Sequence, residues 1–194
     1  YESYLDPILG YPGRFRGSGV GYRYANYSKE KFEVTLGNFY EQFGSGLLLR
    51  AYEERQLGID NALDGFRLIL RPTDGVTLKG LVGKQRLDFD SELINGPGTI
   101  RAIDGEINLN DAIERLASSG TRITLGASFV SRYQSGSTIS KDTLVLQLPN
   151  NVGSWGYRAQ VQKGGFQLLG EYVRKINDPN ADNGYTYRDG EGIL

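Results

Sequence analysis

The sequence predicts an all-β protein, an antiparallel meander forming a transmembrane β-barrel or part of one, with a single short loop helix near residues 110–118. Three observations predict it. Apolar and polar residues alternate over long stretches, and Gly and Pro turn signals separate those stretches at the spacing of sandwiches and barrels. No apolar run approaches the roughly 18 residues that a membrane-spanning helix needs. Gly is frequent, 27 of 194 residues, and 13 Tyr, 8 Phe and one Trp supply aromatic-rich strands.

The elements follow in chain order. Candidate strands at 19–27, 31–37 and 47–53 precede a hairpin in which Phe66, Leu68 and Leu70 alternate with Arg67 and Arg71. Pro72-Thr73-Asp74-Gly75 turns that chain into Val76, Leu78, Gly80 and Val82, since Pro presets one turn angle and Gly accepts the next. A strand at 98–109 leads to Asn110, a candidate helix cap, and to Asp111–Ala117 as a short helix that Gly120 ends. In the stretch 121–132, Ile123, Leu125, Ala127 and Phe129 take one face; Arg122, Thr124, Gly126 and Ser128 take the other. A strand is also predicted at 143–148. The last hairpin joins Trp155, Tyr157, Ala159 and Val161 to Phe166, Leu168, Gly170 and Tyr172 through Gly164-Gly165. The total is roughly nine to eleven strands, read as one domain over 1–194.

The second face is the informative one. It carries Gly, Ser, Gln and Thr with isolated cations, Arg67, Arg71, Lys79, Arg122, Arg132 and Arg158, and few acids at matching places, Glu171 being the clearest. Such a mixture suits a polar, partly filled barrel lumen. The alternative is the solvated outside of a soluble sandwich, whose apolar faces would pack between two sheets. Tyr22, Tyr24, Phe129, Trp155, Phe166 and Tyr172 lie where the aromatic girdles of a barrel would fall, and they would suit a sandwich core nearly as well. A mean hydropathy of −0.41 does not separate the two, because alternation averages to nothing.

Composition narrows the chemistry. The chain has no Cys, His or Met. Disulfides, thiol nucleophiles, thiolate metal sites and imidazole bases are therefore excluded, and with them the Ser-His-Asp triad. A formal charge of −1, with 22 basic and 23 acidic residues and no charged block, argues against nucleic acid as a partner. The chain opens at Tyr1 without the usual Met, which reads as a processed chain or an excised segment.

Three strings invite chemical readings. GNFYEQFGSGLLLR (37–50) contains Gly44-Ser45-Gly46, but a nucleophile elbow needs a different glycine spacing, a strand-to-helix turn and a His. Its glycines instead bend a strand or admit another segment closely, which would let Glu41 and Gln42 bond lumen arginines. The carboxylate pairs Glu53 with Glu54 and Asp88 with Asp90 have no spacing that shows convergence on a substrate, so the expectation is a protein that is not an enzyme. DPNADNGYTYRDGE (178–191) places Asp178, Asn180, Asp182 and Asp189 at positions one, three, five and twelve of a calcium loop, yet the Gly comes one residue late and the last ligand is not Glu. Calcium or a plain solvated turn both fit this string.

Four segments carry a resemblance: GNFYEQFGSGLLLRAYEERQLGIDNALDG (37–65), RLILRPTDGVTLKGLVGKQR (67–86), DGEINL (104–109) and INDPNADNGYTYRDGE (176–191). Nearly the whole chain resembles an uncharacterised family of outer-membrane β-barrel proteins of Bacteroidota-type bacteria. The resemblance implies that members are longer than this chain, that the chain is the N-terminal part of a larger barrel, and that outer-membrane lipid and other envelope proteins are its partners. The leading expectation is a non-enzymatic outer-membrane barrel serving as an accessory or scaffold subunit of an envelope transport or assembly complex. Two alternatives stay open: a porin-like passage for small anions lined by Arg67, Arg71, Arg122 and Arg158, and a soluble, secreted, glycan-binding sandwich.

Overall fold

The computed structural model describes residues 2–4, 17–54, 57, 59–86, 95–136, 138–141, 144–178, 180–182, 185–187 and 189–194. Among these residues the dominant element is one antiparallel sheet of nine strands. They are β1 (Tyr24–Lys29), β2 (Phe32–Phe39), β3 (Leu63–Leu70), β4 (Val76–Arg86), β5 (Asn95–Asn108), β6 (Thr121–Tyr133), β7 (Asn151–Lys163), β8 (Phe166–Ile176) and β9 (Gly190–Ile193). Each strand pairs with the next in the chain, so the sheet order is the chain order. The all-β antiparallel meander is as the alternation predicts, and no second sheet of comparable size stacks on it among the described residues. The sheet is open. Its edges, β1 and β9, are both odd-numbered strands of an antiparallel series and therefore run in the same direction.

The connections sort by end of the sheet. At one end the chain turns in residues 30–31, 71–75 and 164–165, and through the helical connection 109–120. Gly75 and Gly164 take φ values of 72° and 56°, left-handed conformations that make these tight turns available to glycine. At the other end lie the long connections 40–62, 134–150 and 177–189, while residues 87–94, between β4 and β5, lie outside the described residues.

The loop helix is broken. α1 (Leu109–Ala112) and α2 (Glu114–Ala117) are separated by Ile113 in an extended conformation. Asn110 is not the cap that the sequence suggests. Asn108 holds that position, its side chain accepting from the Asn110 amide, while Asn110 is buried and ties the connection to β6. The Asn110 side chain accepts from the Ile123 amide at 3.0 Å and donates to the carbonyls of Leu116 and Thr121 at 2.9 and 2.8 Å.

Three predicted strands are corrected. In 47–53 only Arg50–Ala51 and Glu53–Glu54 are extended, and they form two-residue ribbons with Glu41–Gln42 and Ile59–Asp60 rather than joining the sheet. The Leu47-Leu48-Leu49 run lacks alternation, so it cannot give one face to each of two environments. Leu144–Gln147 pairs with Thr138–Lys141 in a separate ribbon within the 134–150 connection. Of the 19–27 prediction, the sheet takes up only the part from Tyr24, while Gly17–Gly19 pairs with Glu2–Tyr4.

Register divides the sheet into two faces. Opposed pairs share a face, so Leu36, Phe66 and Val82 form one row and Ile103, Phe129 and Trp155 another on the same side. The buried core lies on the opposite side. There Phe39, Phe43, Leu49, Ala51, Leu63, Leu81 and Ala102 pack together, with Ile100 and Val130 against them. Phe43, Leu49 and Ala51 come from the 40–62 connection, which folds back over the sheet instead of extending away from it. The sheet thus has a covered face and an open face.

Candidate functional site

On the covered face, strand register and the folded-back connection together assemble a set of ionic knots. In the first, Glu41 lies buried between Lys79 Nζ at 2.7 Å and Arg67 Nη1 at 3.3 Å. Arg67 is also held by Glu33 and by the Thr35 hydroxyl, which accepts from Nη2 at 3.1 Å. Glu33 and Thr35 alternate along β2 onto the same face as Arg67, so β2, β3, β4 and the connection meet at one guanidinium.

The second knot centres on Arg158 of β7. Its Nη1 and Nη2 reach the two Asp104 oxygens at 2.7 and 3.0 Å, and Nη2 also reaches Glu106 at 3.0 Å. Ser128 lies between: its hydroxyl donates to Asp104 at 2.6 Å and accepts from Arg158 at 2.9 Å. A forked guanidinium against a carboxylate is the strongest of the ordinary ionic geometries.

A third contact crosses the whole sheet. The Ser45 amide donates to Glu171 Oε2 on β8 at 2.8 Å. Gly44, at φ 53°, lies so close that a Cβ there would stand 2.8 Å from both Arg158 Cδ and Glu171 Oε2. The Gly44-Ser45-Gly46 string is thus a close-approach turn, as its glycines suggest, and Ser45 uses its amide on a carboxylate.

The stem of the connection is closed by a fourth knot. Asp60, buried, accepts from Arg86 Nη1 at 2.5 Å, from the Tyr40 hydroxyl at 3.1 Å and from the Ala62 amide at 3.3 Å. Burial, then the negative charge of Asp60, pushes the Tyr40 phenol well above its ordinary value. Tyr22 stacks on Tyr40 with centroids 5.4 Å apart, and burial raises its phenol as well. Asn61 completes the stem, its side chain accepting from the Tyr52 amide at 2.6 Å and donating to the Arg50 carbonyl at 3.2 Å.

Of the residues singled out in the sequence, Arg67, Lys79, Arg122, Arg132, Arg158 and Glu171 share the covered face by register. Arg71 lies just beyond β3 at the turn, exposed, with its amide bonded to the Lys31 carbonyl. The structure brings Arg67, Lys79, Arg158 and Glu171 together around the connection. Arg122 and Arg132 stand apart from it. Glu41 bonds Arg67 as its position suggests, whereas Gln42 turns to the Gly44 carbonyl. The acids that sequence reading passed over are Glu33, Asp60, Asp104 and Glu106. Asp104 and Glu106 alternate along β5, which was a visible signal; that they face Arg158 depends on register across two strands.

The calcium string is brought together only in part. Asp178 pairs with Lys175 at 2.7 Å, and Asp189 faces Arg174 at 3.6 Å while accepting from the Asn177 amide at 3.3 Å. Asn183 and Gly184 lie outside the described residues, as do the side chains of Asn180 and Asp182. Among the described residues no three acidic side chains converge as metal ligands.

The open face is apolar and bare. Ile103, Tyr157 and Phe166 are each more than 60 % exposed, and Leu36, Leu78, Leu125, Phe129 and Leu168 are exposed beside them. Its charged residues lie mostly toward the strand ends, Lys29 and Lys163 at the short-turn end and Asp64, Lys84, Arg174 and Glu191 at the other, while Arg101 stands mid-strand in β5 opposite Val82. Aromatic residues flank the band. Tyr27 packs on Phe32 near one end; Trp155 packs on Tyr157 and Tyr172 toward the other.

No curated protein and no solved structure matches the chain. One family does, along its entire length, and by that match over residues 1–194 the protein belongs to the Family of unknown function (DUF6029).

Proposed function

We propose that this chain forms all or part of a non-enzymatic β-barrel in the outer membrane of Gram-negative, Bacteroidota-type bacteria, where it is an accessory or scaffold subunit of an envelope transport or assembly complex. The open face carries this reading. The solvated face of an antiparallel sheet in water is polar, but here the exposed side presents a wide apolar band from Leu36 to Leu168, with Arg101 beside Val82 as its one mid-strand charge among the described residues. From Ile123 to Phe129 the band runs about 20 Å along β6 at roughly 3.3 Å per residue. Three short turns and one helical connection at one end, longer connections at the other and aromatic residues at both borders support the same reading. Outer-membrane lipid is then the first partner, and other envelope proteins the second.

A closed antiparallel barrel has an even number of strands. Because β1 and β9 run in the same direction, an odd number of further strands, in this chain or a partner, completes the wall. Scaffold is favoured over anion passage because Arg67 and Arg158 already hold carboxylates. The test is fractionation of the full-length protein and flotation with lipid vesicles: recovery in the envelope fraction and co-flotation are expected. A protein that stays soluble without detergent and does not float overturns the reading.

A further inference from the structure

We infer that residues 40–54 are a resident plug that keeps the barrel shut to solutes; this rests on the membrane reading above. The segment enters beside β2, crosses the covered face and reaches β8, so it touches both halves of the sheet. Its grip is of three kinds. Phe43 is 1 % exposed and packs with Leu81 and Ala102, so removing it would uncover wall residues that are otherwise dry. Glu41 neutralises two wall cations at once, Arg67 and Lys79. At the far side the Ser45 amide bonds Glu171, and Gly44 fits against Arg158 and Glu171 with no room for a side chain.

These contacts differ from those of a surface loop resting on a sheet. A mobile connection would show few buried apolar contacts and water-exposed polar groups. Here Phe43 and Leu49, on either side of the tip, are buried, and the stem is clasped by Asp60 with Arg86 and by Asn61. The segment also accounts for the charge pattern of the wall. Without it the covered face carries Arg67, Lys79, Arg122, Arg132 and Arg158 against Glu33, Asp104, Glu106 and Glu171, a polar wall open to ions. With it, Glu41 compensates Arg67 and Lys79, and the Gly44-Ser45 turn sits against Arg158 and Glu171. The plug and the ionic knots are one construction.

The test reconstitutes the full-length protein in planar bilayers, with vesicle flotation as the separate measure of insertion. Two variants are compared with the wild type: replacement of residues 43–49 by a short Gly-Ser linker, and Gly44→Val, which forces the turn away from Arg158 and Glu171 without shortening the chain. Wild type that inserts but gives no stepwise conductance, with stable steps from either inserted variant, is the expected result. Stable steps from wild type equal to those of the variants overturn the plug, as do variants that insert and stay silent. Failure of wild type to float overturns the membrane reading and this inference with it, which separates the two failures.

Discussion

At the scale of single residues, Glu41 shows why buried charge in this protein is informative. It comes from a connection, not from the sheet, yet it completes the coordination of two wall cations. Glu41→Ala leaves Lys79 uncompensated in a partly buried site, and a loss of about 2 kcal/mol is expected, because removing one partner of such a pair exposes the desolvation cost of the other. Denaturant titration of the detergent-solubilised protein measures it. Tyr40 supplies a pH signature. Its phenol is raised above the usual 10.0, so the folded state keeps a proton that the unfolded chain gives up. Stability from this group is complete below pH 10 and falls as pH rises past 10. Tyr40→Phe is expected to flatten that alkaline decline in unfolding curves, and an unchanged slope would assign it elsewhere.

At the scale of elements, β2 and β5 give contrasting cases. Gly37 in β2 has φ 96°, and a Cβ there would stand 2.5 Å from the Arg23 carbonyl oxygen. Gly37→Ala is therefore expected to cost about 1–3 kcal/mol, read as a lowered unfolding midpoint with secondary structure retained. Ile103 in β5 is 62 % exposed on the open face. If that face meets hydrocarbon, Ile103→Arg costs about 2–4 kcal/mol and lowers the inserted fraction. If it meets water, the same change stays within about 0.5 kcal/mol. The strand elements were legible because alternation is local: β6 and the β7–β8 hairpin follow directly from residues 121–132 and 155–172. The 47–53 stretch was not legible as a fold-back. Its Leu run does not say which residue is covered: Leu47 is exposed and Leu49 buried, a difference set by the packing of Phe43 and Leu49 with Leu81 and Ala102. Asn110 was misread for a related reason, since its three partners include Ile123 and Thr121 on the following strand.

At the scale of the whole molecule, the two faces of one sheet are used differently. One is packed under a connection and braced by ion pairs; the other offers a wide apolar band. In the candidate site, the cations were recognisable from their position opposite the apolar residues and Glu41 from its place in the glycine-rich string, while Glu33, Asp104 and Glu106, which hold the same cations, were passed over. Arg158 meets Asp104 only because β7 lies beside β6 and β6 beside β5 in a particular register, a relation spanning 54 residues of chain.

The residue pattern by itself determined that this chain is built of antiparallel strands with one apolar and one polar face, and that these 194 residues supply no imidazole or thiol, because periodicity and composition are properties of neighbouring residues. Which face is covered, which cations are neutralised and that the segment carrying Glu41, Phe43 and Ser45 lies across the sheet were decided by the tertiary structure. Those facts depend on registers and a chain reversal that bring residues far apart in sequence within hydrogen-bonding distance.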